Sequence, residues 1–132
     1  MRHFTMSELT YSRTAQILHI SNIPSDESKA NLVALVDNVL DKARDAWGKP
    51  IKVNSGYRCP ELNKAVGGVR NSQHLTGEAA DISTGTKEGN KWLFNYIKEN
   101  CVYDQLINEQ GYSWVHVSYN RNGANRGDVL HR

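Results

Sequence analysis

At 132 residues the chain has the size of one domain, long enough for a real core but not for two. Its composition is 39% hydrophobic and 23% charged, and a net charge of +2 with scattered basic residues gives no electrostatic case for nucleic acid. No stretch approaches the roughly 20 apolar residues of a membrane span, and the N-terminus leads into no apolar run of signal-peptide type.

Thr5-Met6-Ser7-Glu8 has capping-box spacing and predicts a short helix through about Ala15. Ile17 to Ile23 reads as an irregular connection ending at Pro24. Ser25-Asp26-Glu27 then opens the strongest helix, with Leu32, Val33, Leu35, Val36, Val39, Leu40, Ala43 and Trp47 at helical spacing. Gly48 and Pro50 end it. Ile51 to Ser55 alternates and is β-branched, which predicts a strand. Pro60 suits the first turn of a short helix over Glu61 to Val66, stopped by Gly67-Gly68.

Val69 to Gly77 is a loop by composition, Glu78 to Ile82 a short strand, and Ser83 to Gly89 a polar loop. Trp92, Leu93, Tyr96 and Ile97 mark a second amphipathic helix to about Asn100. Gln105 to Glu109 and Trp114 to Tyr119 are strand-like, and the Gly-containing link between them predicts an antiparallel hairpin. Residues from about 120 to 132 are rich in Asn, Gly and Arg and read as a loose tail. The expected fold is α+β, one domain over 1–132, with helices packed on a small, mostly antiparallel sheet.

Cys59 and Cys101 fit neither a disulfide framework nor a Cys-x-x-Cys metal pair, so two free thiols are expected. The chemistry concentrates elsewhere. Ser72-Gln73-His74-Leu75-Thr76-Gly77-Glu78-Ala79-Ala80-Asp81 places a histidine and a carboxylate seven residues apart around a glycine, and Trp114-Val115-His116-Val117-Ser118 follows. His74, Asp81 and His116 would supply the three ligands of a hydrolytic zinc whose fourth position is left to water. On spacing alone, His-x6-Asp is a weak pattern. A strand histidine is more often a hydrogen-bonded core or surface residue, and Asp81 alone could be a turn carboxylate.

Three segments together resemble the zinc D-Ala-D-Ala carboxypeptidase family, the group holding the VanX-type dipeptidases and phage L-alanyl-D-glutamate endolysins. They are Ser55-Gly56-Tyr57-Arg58-Cys59-Pro60-Glu61-Leu62-Asn63, Ser72 to Asp81, and Trp114 to Ser118. The hedgehog signalling domain is a fold relative of that group, and the likeness is to its short phage- and prophage-type members. The resemblance implies one zinc per chain on His74, Asp81 and His116. It implies Arg58 as the arginine that steadies the developing oxyanion or a substrate carboxylate, and Ser72 as a residue that hydrogen-bonds substrate, or else merely caps its loop. Trp114, next to a ligand, would line the pocket.

One departure stands out. Many members carry the general base as Asp or Glu three residues before the last histidine, and here that position is Ser113. Glu109 is the nearest acid and the leading candidate for the base; Asp128, Glu78 or no base at all are the alternatives. The expected activity is zinc-dependent hydrolysis of peptidoglycan stem peptides by a monomer made in the cytosol and acting on the wall after release. The competing expectations are a zinc-bearing peptidoglycan-binding or structural module without catalysis, and a metal-free scaffold whose histidines are incidental.

Overall fold

The computed structural model describes residues 1–132. Its five-stranded sheet has the order β1-β2-β4-β3-β5, with β1 Lys52–Ser55, β2 Ala79–Ser83, β3 Gln105–Glu109, β4 Trp114–Ser118 and β5 Asp128–His131. Every pairing is antiparallel except β3 with β5. The α+β architecture and the β3–β4 hairpin are as the sequence implies. The tail is not. Asp128 to His131 forms a parallel edge strand on β3, with Leu106 opposite Val129, and Gly127 donates its backbone N–H to Tyr103 O at 3.1 Å just before it.

The N-terminal helix is two short ones, α1 Met6–Thr10 and α2 Arg13–Ile17. The Thr5/Glu8 capping box forms as its spacing implies, but Ser12 takes its own cap bond from Ala15 N and so restarts the helix. The long helix is continuous yet not uniform: α3 Asp26–Leu35 passes through a π turn, Val36–Leu40, into α4 Asp41–Trp47. Leu35, Val36, Val39, Leu40 and Ala43 are all buried along it. Residues α5 Pro60–Ala65 precede a single 3-10 turn, Gln73–Thr76. Helix α6 begins at Lys87, earlier than its apolar stripe suggests, because Thr86 accepts from Gly89 N at 3.0 Å.

The alternation of strand side chains decides where chemistry can sit. Ala80 and Ile82 of β2, Leu106 of β3, and Val115 and Val117 of β4 join the core with Leu32, Leu35, Leu40, Leu93, Phe94 and Ile97. Each Val, Leu, Ile or Phe among them contributes about 1.5–3 kcal/mol on full burial, so this face fixes the register of the sheet. Asp81, His116, Ile107 and Glu109 occupy the alternate positions and so share the opposite face. The core thus positions the site by exclusion.

Candidate metal centre

His74 sits in the 3-10 turn, 2% exposed, and two features fix it. Ser72 caps the turn by accepting from His74 N at 3.2 Å. The ring Nδ1 lies 2.6 Å from the backbone oxygen of Gly56. A carbonyl only accepts, so Nδ1 carries a proton, and Nε2 is the ring nitrogen left to ligate. Gly56 also packs tightly against Leu9, where a Cβ would fall 2.1 Å from Leu9 O. The return bond, Arg58 N to His74 O at 3.0 Å, ties the same segment to the turn a second time. Gly77 ends the turn at φ 75°, with the carbonyl of Ser28 2.4 Å from where a Cβ would be.

Asp81 and His116 are direct partners across β2 and β4. His116 Nδ1 lies 2.9 Å from Asp81 Oδ1, and His74 Nε2 lies 3.3 Å from Asp81 Oδ2. Burial alone would push the Asp81 carboxyl up, but hydrogen bonds from His116 and His74 outweigh it and hold it well below the usual carboxylate range. The three residues offer ligand atoms within 4.8 Å of one another.

These donors fit a metal. Two ligands of one tetrahedral zinc, each bonded at ~2.0 Å, stand roughly 3.3 Å apart, which is the His74–Asp81 spacing. His74 Nε2 and Asp81 Oδ2 point at one another across that gap, so one cation between them would take an atom from each residue. The Gly56 carbonyl behind His74 is the outer partner that a ligating imidazole needs to hold its tautomer and orientation.

The cluster opens into a cleft of about 580 Å³, whose lining includes Arg58, Ser72, Glu109, Trp114 and Arg126. Arg58 Nη2 donates to Ser72 Oγ at 3.4 Å, while its Nε is buried without a partner. Burial lowers the Arg58 guanidinium from its ordinary value, and the charge of Asp81 partly restores it. Trp114 Nε1 is a second buried donor without a partner. Ser72 does cap its turn, and it faces the cleft as well.

Among the acids considered for the base, Glu109 alone lines this cleft; Arg132 Nε stands 3.6 Å from its Oε1. Ser113 is tied into the hairpin loop, donating to Gln110 O at 2.7 Å. Glu78 accepts from the Thr76 hydroxyl, and Asp128 accepts from Gln105 Nε2 at 3.1 Å. Three contributors had no signal in the sequence pattern: the Gly56 carbonyl, Asp104 and Arg126. The last two belong to the segment read as loose or to its anchor.

Three protein donors with one side open to a polar cleft is the requirement of a hydrolytic metal site. Fold and site therefore meet what a metal-dependent hydrolase requires. Comparison with known proteins narrows the class. The peptidase M15 family model matches residues 2–118, and the chain belongs to that family. It is also similar to the zinc D-Ala-D-Ala carboxypeptidase of Streptomyces albus G, 47% identical over 49 residues. That similarity spans 36% of this chain and 19% of the relative. Residues 119–132 lie beyond the family match.

Proposed function

We propose that the protein hydrolyses an amide bond in peptidoglycan stem peptides, as a D-Ala-D-Ala carboxypeptidase or an L-Ala-D-Glu endopeptidase. His74, Asp81 and His116 hold the zinc ion. Zinc at such a site supplies a Lewis acid for the substrate carbonyl and lowers the pKa of a bound water to ~7. The observation that carries the reading is the convergence of the three ligand atoms beside Glu109 in one cleft.

The protein's own groups divide the remaining work. Glu109 accepts the proton lost as water attacks and returns it to the departing amine. Arg58, fixed by Ser72 and partly desolvated, pairs with the negative charge that develops on the carbonyl oxygen or with a substrate carboxylate. Trp114 forms part of the cleft wall.

A second reading draws support from the pairing of Glu109 with Arg132 and the serine at position 113. Under it the protein binds zinc and wall peptide but does not cut. Mass spectrometry of muropeptides incubated with zinc-loaded protein separates the two. New products of defined mass name the bond. Intact muropeptides after long incubation, with zinc bound, leave the binding reading.

A further inference from the structure

The C-terminal segment carries chemistry that the steps above leave unused. Asp104, just before β3, is buried, yet it accepts four hydrogen bonds. Its Oδ1 takes Arg126 N and Nε, both at 3.0 Å, and its Oδ2 takes Arg126 Nη2 at 2.9 Å and Gln73 Nε2 at 3.0 Å. The guanidinium bond, followed by the backbone and Gln73 bonds, overcomes the cost of burial and holds this carboxyl below its ordinary value. One carboxylate therefore links Arg126 to the residue immediately before His74.

Arg126 also lines the cleft of the metal cluster. Its fork commits Nε and one Nη2 hydrogen to Asp104. Its Nη1 hydrogens and the remaining Nη2 hydrogen have no protein acceptor, and 59% of the side chain is exposed. A guanidinium already held on two atoms has lost most of its rotamer freedom, so a ligand carboxylate would meet fixed donors rather than order them. The wall around it is cationic. Arg58, Arg126 and Arg132 line the cleft against Asp81 and Glu109, and a dication on the ligands adds to the excess.

The geometry points to Arg126 as a specificity-determining residue that pairs with a carboxylate of the substrate, so that the protein selects peptides bearing a free acid over their amidated counterparts. This rests on the wall-peptide reading and deepens it. A γ-linked D-glutamate keeps its α-carboxylate free, and the α-amide is the matched neutral analogue. The anchor is built from residues beyond position 118 together with Asp104, so the preference belongs to this chain's C-terminal segment.

The test is calorimetric binding to zinc-loaded protein of γ-D-Glu-L-Lys and of its α-amide, neither of which contains an L-Ala-D-Glu or D-Ala-D-Ala bond to cut. Wild type should bind the acid about tenfold more tightly or better, as a charge-assisted bond requires. Arg126→Gln should bring the ratio close to one with zinc content unchanged. Because that variant strips Asp104 of its charged partner, the double variant Asp104→Asn/Arg126→Gln, which leaves two neutral hydrogen-bonding amides, is measured beside it. A wild-type ratio near one, or a preference that survives in either folded variant, overturns the assignment. Binding requires no turnover. Preference without muropeptide cleavage leaves this inference standing and removes the hydrolase reading; cleavage without preference does the reverse.

Discussion

Asp81 and His116, 35 residues apart in sequence, face each other directly across β2 and β4, with His116 Nδ1 2.9 Å from Asp81 Oδ1. A register pair in the middle of a sheet leaves neither side chain free to drift. The placing of these two side chains is therefore inherited from backbone pairing. His116→Ala should purify without stoichiometric zinc while keeping its helical and strand content, since it removes one ligand but no core contact. Metal analysis beside far-ultraviolet circular dichroism checks this, and full zinc occupancy in that variant would sink the ligand assignment.

Gly56 supplies a carbonyl to His74 and space to Leu9. Gly56→Ala forces a Cβ to 2.1 Å from Leu9 O, so segment 56–58 must shift and carry the Nδ1 acceptor with it. The expected cost is about 1–3 kcal/mol of stability and ~10–100-fold in zinc affinity. Urea unfolding and competition against a zinc chelator measure the two effects separately. Loss of stability with unchanged zinc affinity would show that this carbonyl does not orient the ligand.

Glu109 and Ser113 make opposite predictions. Glu109→Gln should retain zinc and lower kcat on muropeptides by roughly 10²–10⁴-fold. Ser113→Ala removes one hydroxyl bonded to Gln110 O, and turnover should stay within a few-fold of wild type while the hairpin loses about 0.5–1.5 kcal/mol. Equal turnover in wild type and Glu109→Gln would remove Glu109 from the mechanism.

Acid should weaken the anchor of the C-terminal segment. The Asp104 carboxyl is held below its ordinary value in the folded protein. Its contribution is therefore fully present above the unfolded value of about 3.9 and disappears as pH falls through the folded one. Between about pH 5 and pH 2 the wild type should lose stability more steeply than Asp104→Asn. Denaturant midpoints measured across that range give the comparison, and parallel curves would mean that the Asp104–Arg126 pair does not differ between folded and unfolded chains.

What could be read from the sequence follows from how local each signal is. The meeting of His74, Asp81 and His116, the place of Arg58 in the cleft and the β3–β4 hairpin were legible because each lies in a short motif or a period-two run. The π turn at Val36–Leu40 was not, since apolar spacing reads as one helix whether or not a residue is inserted. Strand β5 was hidden for a different reason. Asp128-Val129-Leu130-His131 is four residues long, half-exposed and preceded by Gly127, and its strand character comes from the open edge of β3 rather than from its own composition. Gly56 and Asp104 act through a carbonyl and a buried carboxylate whose partners, His74 and Arg126, are 18 and 22 residues away. No pattern in one segment announces such bonds.

That edge strand has a consequence for how the chain behaves at high concentration. With β5 in place, the backbone groups of Gln105 to Asn108 are occupied on their outer side. Gly127 reaches its position at φ 64°, a conformation that a branched side chain resists. Gly127→Val should loosen β5 and uncover a ready template of donors and acceptors, against which the same strand of another molecule can lie. The outcome would be reversible association, then precipitation, in a protein whose His74, Asp81 and His116 are all intact.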